Sequence, residues 1–402
     1  MSNSSDTLIV GAGQAGAQAA ISLRQEGFAG RITIVGEEAD LPYERPPLSK
    51  DYLAGERTAD RLLLRPPAFW AERDIRILTG TRIAHVDRGV ATADDGRLFP
   101  FGTLIWAAGG HARQLDCPGS GLGGVHSIRT RHDDDDLRAD LHGARRIVII
   151  GGGYVGLEAA AVLVKQGKQV AVVEAQPRLL ARVAAEPVSA FYKARHEAHG
   201  VEILLDAKVS ALEGVNRVTG VRLADGRLLP ADLVIVGIGL VPSVAPLGLA
   251  AVTVDGHCRT EIPHVYAIGD CAAHANPYAG GAVIRLESVQ NAVDMAKAAA
   301  AHIVHGDAAR PYRACPWFWS NQYDLKLQTV GLSAGHDEWV VRGDPATGSW
   351  SLVYLRAGAV VALDCINAPR DYVQGKALVE RSARIDPARL ADSAIPLKEM
   401  EG

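Results

Sequence analysis

Two stretches of the chain, 140 positions apart, repeat one order of apolar, glycine-rich and alanine-rich positions. Each begins with a short apolar run rich in β-branched residues and passes through closely spaced glycines: LIVGAGQAGAQAAISL at 8–23 and VIIGGGYVGLEAAAVL at 148–163. The apolar run predicts a buried strand, and the Ala-rich segment predicts a helix after a tight turn. The pattern therefore predicts two strand–turn–helix units of the same design.

A second strand follows each predicted helix and ends in an acidic residue. RITIVGEE contains Glu37, 21 residues beyond Gly16, and QVAVVEAQ contains Glu174, 18 residues beyond Gly156. Glycines at such a turn let a pyrophosphate approach the helix N-terminus, and the acidic side chain accepts hydrogen bonds from ribose hydroxyls. We therefore predict two dinucleotide sites, built on Gly11, Gly13, Gly16 and Glu37 and on Gly151, Gly153, Tyr154, Val155, Gly156 and Glu174.

The duplication extends beyond the turns. DDGRLFPFGTLIWAAGG at 94–110 and ADGRLLPADLVIVGIGL at 224–240 each place a hairpin turn before a buried strand and a glycine-containing loop, where Gly239 joins the second site. From residue 317 onward an alternating pattern predicts an antiparallel sheet. The predicted fold is α/β, with two Rossmann-like dinucleotide-binding domains and a C-terminal α+β domain.

Composition narrows the class of partner. The 402 residues are 48% hydrophobic and 22% charged, enough to form two or three hydrophobic cores. The formal net charge of −4 disfavours nucleic acid as the main partner. We see no targeting or membrane-spanning segment and expect a cytoplasmic protein without a membrane partner. The five scattered cysteines form no C-x-x-C pair and no Cys/His cluster at metal spacing, so we expect a reducing compartment and no metal site.

Two nicotinamide cofactors bound to one chain could not usefully exchange a hydride without an intermediary. We therefore interpret the first site as an FAD site and the second as an NAD(H) site. TEIPHVYAIGDCA at 260–272 predicts a strand that ends at Asp270, whose carboxylate suits a flavin ribityl chain; a helix N-cap is the alternative. A long helix predicted to start near Ser288 would stabilise reduced flavin with its positive end.

Charge indicates which nicotinamide binds. Glu174 favours the free 2′-hydroxyl of NADH and repels the 2′-phosphate of NADPH, a repulsion that Arg178 and Arg182 would soften. The other conspicuous charge run, RHDDDD at 131–136, predicts the first turn of a solvated helix and no metal role.

Over nearly its whole length the chain resembles the FAD- and NADH-dependent ferredoxin reductases of bacterial oxygenase systems, flavoproteins of the glutathione-reductase-like type. The motifs that carry the resemblance are PYERPPLSKDYL, IGGGYVGLEAAA, AIGDCA, RLESVQNA and CPWFWSNQYDLKLQTVGL. It implies an FAD-binding domain at 1–113 and 243–316, an NADH-binding domain at 114–242 and a C-terminal interface domain at 317–402.

The resemblance also implies roles for particular residues. Lys50 is expected beside the reactive flavin nitrogen and paired with Glu158, the two catalytic residues; a surface lysine in a Pro-rich loop is the alternative for Lys50. The implied FAD contacts are Ala15, Glu37, Lys50, Ile83, Arg129, Asp270 and Val289.

The missing thiols indicate how electrons leave. Related disulfide reductases and peroxidases need cysteine over the flavin, but LPYERPPLSK contains none, and Cys271 fits a small buried helix-start residue better than a redox group. Electrons would therefore pass singly to a [2Fe–2S] ferredoxin serving a haem-thiolate monooxygenase or a Rieske dioxygenase. The alternatives are an NADH oxidase, a rubredoxin-type reductase, or a regulatory flavoprotein like apoptosis-inducing factor; we expect a monomer or weak dimer.

Docking of the ferredoxin is expected at the C-terminal region. Trp317 and Trp319 would line the nicotinamide pocket or the ferredoxin approach, with Trp319 assigned to the cofactor; core aromatics under a sheet are the alternative. Arg310, Arg313 and Lys326 would attract an acidic ferredoxin, although each alone is commonly a solvated surface residue.

Overall fold

A computed structural model describes residues 6–400, which divide into two compact units. The first unit comprises 6–44, 60–111 and 240–316, and the second comprises 45–59, 112–239 and 317–400. Each unit holds one of the two glycine-rich turns. The three-domain division made from the sequence stays a prediction.

The first unit is built on a five-stranded parallel sheet. Its strand order is Val265–Ala267, Thr103–Trp106, Thr7–Val10, Ile32–Val35 and Ile75–Leu78. All four residues of the central strand are buried, which explains its unbroken apolar run. The helices Gln14–Gln25 and Val289–His305 pack against each other through buried alanines, and Pro67–Ala71 is a short third helix.

Smaller sheets complete the first unit. One antiparallel sheet contains Ile83–Asp87, Val90–Ala93 and Leu98–Pro100. Another sheet contains Val252–Val254, Ala272–Ala275 and Val283–Arg285, and short strands lie at Gly110–Ala112 and Leu240–Pro242. The 3₁₀ turns of this part of the chain are Ala59–Leu62, Ala245–Leu247, Gly269–Cys271, Pro277–Ala279 and Gly306–Ala308.

The second unit repeats the plan. Its parallel sheet has the order Glu202–Leu204, Gln169–Val173, Arg146–Ile150, Leu233–Val236 and Val125–Ser127. Its helices before the C-terminal region are Arg131–Leu141, Tyr154–Lys165 and Glu186–Ala198, with a 3₁₀ turn at Pro46–Ser49. A separate antiparallel sheet contains Val209–Gly214, Val218–Leu223 and Leu228–Pro230.

The C-terminal region forms a five-stranded antiparallel sheet within the second unit. The strand order is Trp317–Gln322, Leu325–Gly331, Ala359–Ile366, Ser349–Arg356 and Glu338–Asp344. Its fully buried Leu327, Leu352 and Tyr354 belong to the same apolar core as Ile149 and Leu157. The chain ends with the helices Pro369–Glu380 and Pro387–Ala391 and 3₁₀ turns at Pro345–Thr347 and Leu397–Glu399.

The acidic run at 131–136 starts a helix as predicted, but the helix is not solvated on all sides. Thr130 caps it: the threonine hydroxyl accepts from the Asp133 amide and the Asp133 carboxylate accepts from the Thr130 amide. Asp134, however, is completely buried, and neither of its carboxylate oxygens has a hydrogen-bond partner. The expectation of a solvated face is therefore wrong at Asp134, because helical periodicity turns that position inward.

Two glycine-rich turns and a buried lysine–glutamate pair

The two glycine-rich turns have matching geometry. Gly11 and Gly151 both have φ of +112°, a region that side chains rarely adopt. A Cβ on Gly16 would lie 1.9 Å from the Gly11 carbonyl oxygen, and a Cβ on Gly156 would lie 2.2 Å from that of Gly151. These four glycines are therefore required by the protein's own packing.

The middle glycine of each turn faces open space. A Cβ on Gly13 or Gly153 would meet no protein atom within 4 Å, and both residues begin helices that lack a side-chain cap. The amides of an uncapped first turn point at a volume that suits an anion. The residues present therefore fit a pyrophosphate at each turn.

The acidic partner of the second turn is fixed by two backbone amides. Glu174 Oε2 accepts from the Gly152 amide at 2.7 Å, and Oε1 accepts from the Gln176 amide at 2.9 Å. Tyr154 and Val155 follow as the first helical residues, and Val155 is exposed. The carboxylate is thus held over the turn where a ribose would follow the pyrophosphate.

The first turn places its acid differently. The Val35 carbonyl accepts from Gly11 as the Val173 carbonyl accepts from Gly151, which puts Gly36 at the position of Glu174. Glu37 lies one residue later, with its Oε1 3.7 Å from Arg82 Nε and both side chains about two-thirds exposed. Motif spacing alone does not reveal this one-residue offset, which moves the acid away from the turn amides.

Three predicted FAD contacts in the first unit lie close together. A Cβ on Gly269, next to Asp270, would lie 3.0 Å from the Ala15 Cβ and 3.7 Å from that of Ala292, in the helix that begins at Val289. Asp270 is the middle residue of the Gly269–Cys271 turn, so it is not a helix N-cap. Ser288 caps the long helix by accepting from the Asn291 amide at 3.0 Å.

Two more of the seven predicted FAD contacts, Ile83 and Arg129, lie apart from these three. Ile83 is buried at the start of a strand in the antiparallel sheet of the first unit. Arg129 belongs to the second unit, where its carbonyl accepts from Arg45 Nη1 at 2.6 Å. The structure therefore does not bring all predicted FAD contacts into one unit.

The arginines near the second turn have separate roles. Arg178 donates to Ser189 Oγ at 2.8 Å and to the Ala181 carbonyl at 2.9 Å, so its guanidinium braces its own loop. Arg182 instead lies against Gly239, with both Nη atoms 3.9 Å from the position of a Cβ on that glycine. Arg182 is thus the arginine that lies beside Gly239, a predicted residue of the second site.

Lys50 and Glu158 form a sheltered ion pair. Lys50 Nζ lies 2.6 Å from Glu158 Oε2 and also donates to the Pro46 carbonyl at 3.0 Å. The lysine side chain is 15% exposed and that of the glutamate only 3%. Because its side chain is sheltered and paired, Lys50 is not a surface lysine in a Pro-rich loop. A pair this sheltered needs further hydrogen bonds to offset the loss of hydration.

Two serines that the sequence did not single out supply those hydrogen bonds. Ser49 donates to Glu158 Oε2 at 2.5 Å, and Ser320 donates to Oε1 at 2.6 Å. Ser320 is completely buried in the first strand of the C-terminal sheet. Ser320 is the last residue of the PWFWS motif, but no periodic pattern in the sequence indicates its contact with Glu158.

The aromatic motif divides between two faces of its strand. The Trp317 and Trp319 rings lie 5.6 Å apart and are both partly exposed. Phe318, on the opposite face, lies 4.7 Å from the ring of Tyr154. The two tryptophans are therefore not core aromatics under the sheet.

None of the five cysteines, at positions 117, 258, 271, 315 and 365, forms a disulfide. Burial raises the pKa of the Cys271 thiol to about 12, and its Sγ lies 3.3 Å from the Ile268 carbonyl. Cys271 is therefore buried, as the sequence favoured, but it does not start a helix: it ends the Gly269–Cys271 turn and is followed by the strand Ala272–Ala275. A raised pKa disfavours the thiolate that redox chemistry needs. Within residues 6–400 no cluster of three histidine, cysteine or acidic side chains could hold a metal ion.

Comparisons with known proteins give two family matches. Residues 5–296 match the pyridine nucleotide-disulphide oxidoreductase family, and residues 317–401 match a reductase C-terminal domain. The chain is 56% identical to the ferredoxin reductase subunit of a 5,5′-dehydrodivanillate O-demethylase from Sphingobium, with 98% of each chain covered. It is 39% identical to putidaredoxin reductase of Pseudomonas putida, covering all of this chain and 97% of the other.

A solved structure gives the same result. The reductase in a covalent putidaredoxin reductase–putidaredoxin complex superposes with a TM-score of 0.94 at 38% identity, covering 98% of this chain and 97% of that one. The predicted resemblance and the predicted fold class are thereby confirmed. The chain belongs to the pyridine nucleotide-disulphide oxidoreductase family, among the ferredoxin reductases that carry a reductase C-terminal domain.

Proposed function

We propose that the chain is an FAD-dependent NADH:ferredoxin oxidoreductase that supplies single electrons to a [2Fe–2S] ferredoxin of an oxygenase system. The observation that carries the proposal is the presence of two dinucleotide turns and the sheltered Lys50–Glu158 pair in one chain whose cysteines form no disulfide. Bound FAD would accept a hydride from NADH and release its two electrons one at a time.

The residues of the chain hold and orient the cofactors. The uncapped helix starts at Gly13 and Gly153 receive the pyrophosphates, and Glu37 and Glu174 receive the adenosine riboses. Asp270 accepts from the ribityl chain, while the helix start at Val289 favours negative charge on the flavin. Gly239, with Arg182 beside it, and Trp319 bound the nicotinamide half of NADH.

Lys50 and Glu158 serve the hydride step by charge. An ammonium near a bound flavin would favour the arrival of negative charge, and Glu158 holds the Lys50 ammonium fixed in a sheltered position. No acid–base residue is needed, because the hydride moves without a proton. NADH is the donor that we propose, since a carboxylate at 174 disfavours a 2′-phosphate.

The names of the relatives support the partner and the setting. They include the ferredoxin reductase of an O-demethylase and the reductase component of a p-cumate 2,3-dioxygenase system from Pseudomonas putida. We propose that the ferredoxin serves an oxygenase, either a Rieske dioxygenase or a haem-thiolate monooxygenase. Arg310, Arg313 and Lys326 are proposed to attract its acidic surface.

No helix in residues 6–400 is both long and apolar enough to cross a membrane. We propose a cytoplasmic protein, because its cysteines form no disulfide, as expected in a reducing compartment. A monomer or weak dimer suffices for this activity.

The function is tested by NADH-driven cytochrome c reduction, with and without [2Fe–2S] ferredoxins, over a range of ionic strength. We expect reduction that depends on ferredoxin and falls steeply with salt, as charge-guided docking requires. Fast oxygen consumption without ferredoxin would indicate an NADH oxidase, and preferential reduction of rubredoxin would indicate a rubredoxin reductase. A reduced flavin–NAD complex that persists with every acceptor would favour a regulatory flavoprotein.

A further inference from the structure

A continuous chain of hydrogen bonds runs from Glu158 through Ser320 and Gln322 of the C-terminal sheet to His196 of the helix Glu186–Ala198 and on to Tyr323, and all but the last bond are buried. Ser320 Oγ, which donates to Glu158 Oε1 at 2.6 Å, accepts from Gln322 Nε2 at 3.1 Å. Gln322 Oε1 lies 2.8 Å from His196 Nε2, and His196 Nδ1 lies 2.9 Å from the Tyr323 hydroxyl. The three inner residues of this chain, Ser320, Gln322 and His196, are each at most 1% exposed.

The donors of this chain all point toward Glu158. Because the Gln322 amide nitrogen donates to Ser320, its oxygen faces His196, so His196 Nε2 must carry the proton and Nδ1 must accept from Tyr323. This assignment needs a neutral imidazole, and burial lowers the pKa of His196 to about 4. Four aligned hydrogen bonds polarise one another and direct their positive ends at the carboxylate.

We propose that Ser320, with Gln322 and His196 behind it, is a positioning residue for hydride transfer: it fixes the Glu158 carboxylate in place, and through Glu158 it fixes the Lys50 ammonium. This inference rests on the proposed function, because it acts on the pair assigned to the flavin. Ser49 serves the other carboxylate oxygen, which it shares with Lys50, so Ser320 is the residue that serves Oε1.

Removal of the Ser320 hydroxyl leaves a buried carboxylate oxygen without its donor. The carboxylate is then no longer fixed at both oxygens, and the Lys50 ammonium that it holds can shift with it. The positive charge that Lys50 is proposed to offer to the flavin is thereby displaced. The effect of Ser320→Ala should therefore reach the flavin only through Lys50.

The chain offers a matched control in Ser351. This serine is also completely buried in the C-terminal sheet and also donates to the carboxylate of an ion pair, with Asp371 Oδ2 3.0 Å from its hydroxyl and 3.0 Å from Arg342 Nε. The Arg342–Asp371 pair shares no hydrogen bond with Glu158. Ser351→Ala therefore makes the same chemical change without touching the proposed chain.

The experiment measures anaerobic flavin reduction by NADH and, separately, the midpoint potential of the bound FAD by chemical titration. We expect Ser320→Ala to slow reduction about tenfold, as loss of a hydrogen bond to a charged group should, and to make the potential more negative. Ser320→Thr should restore both values and Ser351→Ala should keep both. In a Lys50→Met background, Ser320→Ala should add nothing.

Several results would overturn the proposal. These are wild-type rate and potential in Ser320→Ala, an equal effect of Ser351→Ala, or the same slowing with and without Lys50. Should Ser320→Ala fail to fold by circular dichroism, the near-isosteric Gln322→Met breaks the next link and must shift the potential in the same direction. A wild-type flavin that NADH does not reduce refutes the proposed function instead, since the chemical titration still reports on Ser320.

Discussion

At the scale of single residues, Glu174 is proposed to set the choice between NADH and NADPH. Glu174→Arg should move the ratio of kcat/KM values toward NADPH by at least about tenfold, because attraction replaces repulsion at the 2′-position. Since the mutation also removes the bonds to the Gly152 and Gln176 amides, activity with NADH should fall. Glu202→Arg, on an exposed position of the neighbouring strand, is the control. Unchanged discrimination in steady-state kinetics would remove Glu174 from this role.

Lys50 is the residue on which the hydride step is proposed to depend. Lys50→Met should slow flavin reduction by roughly tenfold or more while FAD stays bound, because charge stabilisation at the reacting centre is lost. Lys165→Met is the matched control, since Lys165 is 78% exposed and 3.5 Å from Glu56. Stopped-flow absorbance gives the rate and the bound-flavin spectrum together. A wild-type reduction rate in Lys50→Met would dismiss the role.

Burial of the Asp134 carboxylate lowers the free energy of unfolding by an amount that depends on pH. Burial raises its pKa from 3.8 to about 7, so the folded state favours the protonated form and stability falls as pH rises from about 4 to about 7. Asp134→Asn should raise the melting temperature at pH 8 by about 2 to 4 °C and change it little at pH 4. Asp136→Asn, at an exposed position of the same helix, should show no such dependence. A Tm gain of equal size at both pH values would contradict this account.

At the scale of elements, the glycines of the second turn separate packing from binding. Gly156→Ala places a Cβ 2.2 Å from a backbone oxygen and should destabilise the unit that contains it. Gly153→Ala meets no protein atom, so it should keep the melting temperature and weaken NADH binding by about tenfold or more. Gly143→Ala, also in open space, should change neither. Calorimetry and NADH titration check the three variants; tight NADH binding by Gly153→Ala would contradict the assignment.

The elements that sequence predicted well are those with local signals. The two turns follow from glycine spacing, the C-terminal sheet from alternation, and the helix at Val289 from its serine cap. The sequence could not predict contacts between distant segments, such as that of Ser320 with Glu158. A hydrogen bond between residues 162 positions apart leaves no periodic pattern in the sequence. The inward turn of Asp134 was missed because a charge run suggests solvent whichever way each side chain points.

At the scale of the whole molecule, each unit contains one turn, and the second unit also holds the pair and the C-terminal sheet. Its core runs continuously from the parallel sheet into the antiparallel one. The strand that carries Trp317 and Trp319 also carries Ser320, so one element combines the proposed nicotinamide contact with the support of Glu158. The C-terminal sheet is therefore proposed to contribute to the chemistry as well as to the docking.

The central claim is that electrons enter as a hydride and leave singly without a thiol. Its most direct measurement is an anaerobic titration of the purified protein, first with one equivalent of NADH and then with oxidised [2Fe–2S] ferredoxin. We predict a yellow protein that NADH bleaches, and recovery of the oxidised flavin spectrum as two ferredoxins are reduced per NADH. A colourless protein, a flavin that NADH leaves oxidised, or a reduced flavin that ferredoxin cannot reoxidise would contradict the account.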